Sequence, residues 1–156
     1  MFYNIHNHLI ILLIKKMVEY IQGGIAKDHR GQIRFVNDFD MSDVKRFYII
    51  KNTDLELIRG WRAHKMEQRW FYVLSGSFKI DIVEIDNWEE ASRDLNVRTE
   101  IVDSSENKVL HLSAGYGTAF QAMTENSELL VFSDYGIENA PNDDYTYPLD
   151  YFINKK

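Results

Sequence analysis

The chain has 156 residues, of which 45% are hydrophobic and 27% charged, and its net charge is −6. That is one domain's worth of foldable sequence, with the wrong sign of charge for general nucleic-acid binding. It contains no cysteine, which excludes disulfides, a thiolate nucleophile and a Cys-based zinc site, and fits a cytoplasmic protein.

Taken in chain order, the first feature is "LIILLI" at 9–14, far short of the roughly 20 apolar residues of a membrane span. The two lysines follow it instead of preceding it, so a secretory signal fits poorly and no membrane partner is implied. Residues 1–16 read as a leader that is not part of the native fold, with Met17 the start of a single domain over 17–156. A docking or dimerisation helix is the rival reading.

From Val18 onward short β segments alternate with turns. The segments are "VEYIQ", "QIRFVN", "RFYIIKN", "LELIRG", "QRWFYVLSG", "SFKIDIVEI", "KVLHLS", "TAFQAM" and "SELLVFSDYG". They are rich in Val, Ile, Phe and Tyr, and several alternate apolar with polar. Turn signals separate them: "GG" at 23, "DHRG" at 28, "KNTD" at 51, "SGS" at 75 and "AGYG" at 114. So many short strands with almost no helical periodicity predict an all-β barrel or jelly roll. "DNWEEASRDLN" (86–96) reads as a polar excursion with one helical turn. The tail "NDDYTYPLDYF" holds Pro148, which prevents a regular helix, and is expected to pack on the barrel.

The central stretch is "IRGWRAHKMEQRW", where one histidine stands among arginines. Strand alternation puts Arg62 and His64 on one face. After a turn at 65–68, Arg69, Phe71 and Val73 share a face, and Trp70, Tyr72 and Leu74 take the other. Guanidiniums nearby disfavour the imidazolium, so His64 is expected to be neutral and able to accept a proton. The same arginines would stabilise a phosphate or an enolate. Tyr48, Tyr72 and Tyr116 are candidates for returning a proton. The plainer alternatives are a hydrogen-bonded barrel histidine and arginines neutralised by acids such as Asp81 and Asp134. Trp61, Trp70 and Phe71 read as core or interface residues, His111 as structural, and His6, His8 and His29 as too scattered to ligate anything.

Several motifs resemble one family. "DHRGQI" (28–33) is similar to an early Asp-x-Arg-Gly segment of the dTDP-4-dehydrorhamnose 3,5-epimerases. "IRGWRAHK" resembles both their "LRGLH" and the "RGxHAHK" of the WxcM-like, FdtA-like dTDP-sugar 3,4-ketoisomerases. "VLSGSFKIDI" and "SDYGIENAPNDDYTYPLDYF" resemble later ketoisomerase segments, so the likeness spans roughly residues 18–152. It implies the double-stranded β-helix of the RmlC-like cupins and a homodimer, because such barrels cover an edge by exchanging strands. It also implies a dTDP-linked 4-dehydro-6-deoxyhexose as substrate, acted on by an isomerase or epimerase of surface-polysaccharide sugar synthesis.

In the mechanism this implies, His64, which matches a motif histidine by position, is the base, while Arg62 or Arg69 would stabilise the enolate and Tyr48 or Tyr72 would reprotonate it. Arg30 and Arg59 hold the diphosphate. Where this barrel type places metal ligands, the chain has Arg62, His64, Arg69 and Thr118, so no metal and no other cofactor is expected. Arg62 replaces the first His of the ketoisomerase motif, Arg69 replaces a Gln, and the epimerases' "WND" segment has no counterpart. Those departures leave a non-catalytic cupin that binds a sugar nucleotide or other anion as the alternative. A metal-dependent cupin dioxygenase is opposed by the missing ligands.

Overall fold

The computed structural model describes residues 16–152. The leader reading for 1–16 therefore lies outside the described residues except for Lys16, whose ammonium pairs with Glu84 at 2.8 Å.

The strands are β1 (Val18–Gln22), β2 (Gly24–Asp28), β3 (Gly31–Phe35), β4 (Arg46–Ile50), β5 (Ile58–His64) and β6 (Arg69–Ser75). They continue with β7 (Ser77–Glu84), β8 (Val97–Asp103), β9 (Lys108–Leu112), β10 (Tyr116–Ala122), β11 (Glu128–Ser133) and β12 (Tyr145–Thr146). All pairings are antiparallel. One five-stranded sheet runs β1-β9-β6-β11-β4, a second runs β12-β5-β10-β7-β8, and the hairpin β2–β3 forms a sheet of its own. The inner faces of the two large sheets share one core, in which Phe71 and Val73 of β6 meet Phe78, Ile80 and Ile82 of β7. The fold is thus the all-β double-stranded barrel expected from the sequence.

Local chemistry explains the joints. Gly76 turns the β6–β7 hairpin at φ +70°, where a Cβ would fall 2.0 Å from the Ser127 hydroxyl oxygen, so only glycine fits. The alternation through β6 is as expected: Phe71 and Val73 are buried in the core, and Trp70 on the other face stacks on His111 at 4.9 Å. His111 itself lies between the Glu19 carboxylate and the Gln68 amide, a structural placement.

Three expectations need correction. "LELIRG" is not a strand over its length: β5 begins at Ile58, because the Asp54 carboxylate accepts the N–H groups of Glu56 and Leu57 and holds a loop. The 86–96 excursion has no helical turn; Asn87 takes the N–H groups of Glu89 and Glu90, and Asp86 takes that of Ser92. Strands β2, β8 and β12 are absent from the expected segments, since each is a polar or very short edge whose pairing, not composition, makes it a strand.

The register between β5 and β10 decides which side chains enter the barrel. Thr118 pairs with Arg62, but Phe120 pairs with Arg59, so β5 carries one extra residue there, a β-bulge. Residues directly opposite in an antiparallel ladder share a face. The bulge therefore puts Arg59 on the inner face together with Arg62, which strict alternation would have forbidden. Gly60 sits within it; a Cβ there would come 2.9 Å from the Ala119 Cβ.

On the outer face of the second sheet, Trp61 and Ala63 pack with Val83, Ile85, Ala119 and the tail's Phe152. Trp61 meets Phe152 edge to face at 5.2 Å, and its indole N–H donates to the Leu149 carbonyl at 3.2 Å. The tail packs on the barrel as expected. Replacing Trp61 with Ala should cost about 3–5 kcal/mol, the usual range for deleting a buried aromatic. Denaturant unfolding checks this, and a loss under about 1 kcal/mol would mean that Trp61 does not brace the tail.

Candidate active site

Strands β4, β5, β6 and β10 enclose a cavity of about 490 Å³ whose wall includes Tyr48, Lys51, Arg59, Arg62, Arg69 and Thr118. A second cavity of about 570 Å³ adjoins it, sharing Tyr48 and Arg62 and adding Arg46, His64 and Asp144. The two form a cationic chamber at one end of the barrel.

Arg69 is almost wholly buried and donates from Nη1 to the Thr118 hydroxyl at 3.1 Å across the barrel. Burial lowers its pKa, opposed by Tyr48 and Glu67, yet a guanidinium keeps its charge under such a shift. Positions 69 and 118, where this barrel type would hold metal ligands, here bond to each other. Arg62 pairs through Nε with Asp144 of the tail at 2.9 Å. Neither acid considered for the arginines from sequence takes one: Asp81 holds Thr99 and Lys79, and Asp134 holds the Gln68 amide and backbone N–H. Arg59 has no ionic partner among the described residues and is open to a ligand's charge.

His64 ends β5, buried, opposite Tyr116 in the ladder. Its Nδ1 lies 2.7 Å from the Asp143 backbone carbonyl. A carbonyl can only accept, so Nδ1 carries the hydrogen, and in the neutral ring Nε2 keeps its lone pair. Burial, then the Arg69 charge, push the His64 pKa down to about 3, with Arg62 and Arg46 adding to the fall and the Asp143 carbonyl opposing it. Burial and the neighbouring guanidiniums thus both favour the neutral imidazole.

Two acids that sequence reading passed over build this site. The Asp143 carboxylate accepts the backbone N–H groups of Lys65, Met66 and Glu67 at 2.7–3.1 Å. The turn after His64 has no glycine, and this tail carboxylate is what holds it. Glu67 is buried beside the imidazole, its Oε2 3.7 Å from Nδ1 and 3.4 Å from Arg46 Nη2. Desolvation raises its pKa above the ordinary glutamate value, against the lowering effect of Arg69. A turn without glycine at 65–68 and the adjacent acids of "NDDYT" were the available signals, but nothing local joined them.

His64, Glu67 and Asp143 offer donor atoms within 4.8 Å of one another, but the donor set does not suit a cation. Nδ1 is protonated, the Asp143 oxygens are saturated with N–H groups, and Arg46, Arg62 and Arg69 crowd the position.

The other expected residues divide. Tyr48 borders both cavities, its ring under the Arg46 guanidinium at 5.3 Å. Tyr72 does not reach them: it sits on the outer face of β6 and its hydroxyl donates to Asn107 at 2.7 Å. Its parity along the strand, opposite to Arg69 and Phe71, is the reason. Arg30 also lies elsewhere, at the tip of the β2–β3 hairpin, paired with Asp28 at 2.6 Å and lining a separate shallow depression. Tyr116 borders another cavity with Glu84 and Arg98, and burial raises its phenol pKa. Lys51 joins the Arg59 end of the chamber unannounced.

A search of curated sequences finds no match. Among solved structures, a mutant of the 3,4-ketoisomerase QdtA from Thermoanaerobacterium thermosaccharolyticum, in complex with TDP-4-keto-6-deoxyglucose, is similar with a TM-score of 0.66. The pair share 20% identity over 86% of this chain and 91% of that one. A 3,4-ketoisomerase from Helicobacter canadensis gives 0.64 at 18% identity, covering 86% and 94%. The Mycobacterium tuberculosis rmlC epimerase gives 0.69 at 16% identity, covering 88% and 73%. At such identities the likeness is one of fold. The model of the family described as FdtA: WxcM-like, C-terminal, matches residues 14–156. That match spans nearly the whole chain, and the chain belongs to the FdtA family, WxcM-like, C-terminal.

Proposed function

We propose that this chain is a sugar-nucleotide isomerase or epimerase that acts on a dTDP-4-dehydro-6-deoxyhexose in surface-polysaccharide sugar synthesis, as a cytoplasmic enzyme. The observation that carries the reading is the protonated Nδ1 of His64, which leaves the Nε2 lone pair as a base in a chamber lined with arginines. Family membership and the TDP-sugar bound by a structure of similar fold support the substrate class.

In this reading His64 Nε2 takes the proton from the carbon next to the 4-ketone. The electron pair moves onto the ketone oxygen, and Arg69 or Arg62 stabilises the enolate. A fixed donor at such an oxyanion is typically worth about 10²–10³ in rate. Tyr48, which borders both cavities, returns a proton; return to the opposite face gives epimerisation, and return after transfer along the enediol gives keto migration. Arg59 and Lys51 hold the diphosphate, and neither metal nor other cofactor takes part. Tyr72 is left out of the mechanism, and Arg30 is left out of any site built from one chain.

A homodimer belongs to the same proposal. The β2–β3 hairpin pairs with neither large sheet and exposes Ile25, Ile33 and Phe35, as a segment does that packs on a second copy. Sedimentation equilibrium should give twice the chain mass, and a concentration-independent monomer would refute the assembly.

A second reading is favoured by the same burial. A base whose conjugate acid has a pKa of about 3 is a weak proton acceptor, which suits an accessory protein that only binds a sugar nucleotide. Incubation with dTDP-4-dehydro-6-deoxyglucose in D₂O separates the two. The enzyme incorporates deuterium beside the ketone, and His64→Asn abolishes this while nucleotide binding stays nearly intact. Stabilisation by dTDP without incorporation identifies the binder, and full incorporation by His64→Asn removes the base assignment.

The protonation state is testable apart from turnover. With its pKa lowered to about 3, His64 is neutral at every pH above that value. Its ring ¹⁵N resonances should keep the Nδ1–H tautomer as pH falls through 6.5, the ordinary histidine midpoint. A titration centred there would contradict the cationic chamber.

A further inference from the structure

Charged groups face the His64 ring from every side. Arg46 of β4, Arg62 of β5 and Arg69 of β6 bring positive charge. Glu67 in the turn, and Asp143 and Asp144 in the tail, bring negative charge. The phenol of Tyr116 stands opposite on β10. Around the ring these charges balance, three against three, while the imidazole is neutral; Lys51 and Arg59 make the chamber as a whole cationic. Accepting a proton at Nε2 adds a positive charge to a buried group that is already hard to charge.

Two of the acids are committed elsewhere. Asp144 holds Arg62 at 2.9 Å. The Asp143 carboxylate is saturated by three backbone N–H groups, and its nearer oxygen lies 4.0 Å from Nδ1. Glu67 differs. Its side chain is 1% exposed, and its Oε1 is the one buried side-chain oxygen or nitrogen among the described residues with no hydrogen-bond partner. The Ser133 hydroxyl eases the Glu67 charge but is turned to the Tyr135 carbonyl at 3.3 Å. A buried acceptor left open is costly and calls for a reason. The other oxygen, Oε2, stands 3.7 Å from the protonated nitrogen of the base.

We propose that Glu67 is the positioning residue of His64, the carboxylate whose open oxygen lets it balance the imidazolium that forms when Nε2 accepts the substrate's proton. The inference rests on the reading of His64 as a base. In the resting site the Nδ1 hydrogen bond goes to the Asp143 carbonyl, which fixes ring orientation and tautomer. During turnover Nδ1 keeps that hydrogen, Nε2 gains the proton from carbon, and the new charge lies between a neutral carbonyl and an ionised Glu67. No proton moves to Glu67, which acts by charge alone and touches no substrate atom.

The arrangement has a pH signature. Protonating Glu67 removes the counter-charge, so the rate falls as pH falls through the Glu67 pKa. Burial sets that pKa above the ordinary glutamate value, whereas His64 itself stays neutral throughout.

The test is solvent deuterium incorporation into dTDP-4-dehydro-6-deoxyglucose, from neutral to acid pH, by the full chain and by its Glu67→Gln and Glu67→Asp variants. Glu67→Gln should lose about 100-fold in rate at neutral pH with little change in KM, and should lose the wild-type acid limb. Glu67→Asp, which keeps a charge, should be slowed less and retain that limb, so the pair reports charge even if Glu67→Gln folds poorly. A Glu67→Gln variant with wild-type rate, or a slowed one that keeps the wild-type limb, overturns this inference alone. Absence of incorporation by the wild type overturns the catalytic reading, and this inference falls with it.

Discussion

The site hangs on one carboxylate. Asp143, far along the chain from the base, gathers the N–H groups of residues 65–67 into its side chain while its backbone carbonyl holds the imidazole. A turn with no glycine and no proline has little local reason to close, and backbone N–H groups buried beside arginines need an acceptor. Asp143 meets both needs at once. Because it reaches the turn from the tail, the tail's own anchorage becomes part of the chamber's geometry, which is why Trp61, Phe152 and Leu149 matter to an imidazole they never touch.

Tail and barrel also divide the electrostatic work. Strands β4, β5 and β6 supply guanidiniums, whereas the carboxylates come from the turn and the tail. The ladder fixes the backbone from which each of these arginines projects, so their charge enters the chamber independently of the tail. Arg62 has a carboxylate to exchange for a ligand, and Arg59 has none among the described residues. Among the described residues the chamber thus offers Arg59 and Lys51 free at once, and Arg62, which a phosphate or enolate must win from Asp144, a difference that favours ligands carrying more than one negative centre.

Much of this was legible in the sequence, and the limits have physical causes. β-Branched and aromatic segments marked the inner strands, and simple alternation placed Arg69 with Phe71 and Val73. The same alternation argued against Tyr72, which stands at the wrong parity on β6. The edges β2, β8 and β12 were illegible because an edge strand needs only one partner and tolerates a polar composition. Glu67 and Asp143 were missed because their roles arise from contacts across the chain; a single Glu in a turn and an acid pair in a tail have ordinary surface explanations. Arg30 looked like a ligand residue by motif, but on a separate hairpin it faces its own neighbour Asp28.

The bulge in β5 has a consequence for how such barrels change over time. With the extra residue at Gly60–Trp61, Arg59 and Arg62 share the chamber; without it, one of them would face outward. Face assignment along a strand is binary, so gain or loss of a single residue here would not nudge a charge but remove or add it whole. Chemistry in this chamber can therefore diversify in steps of one unit charge, with no side chain in the wall replaced. Relatives should then be aligned by ladder position and not by counting residues from the histidine.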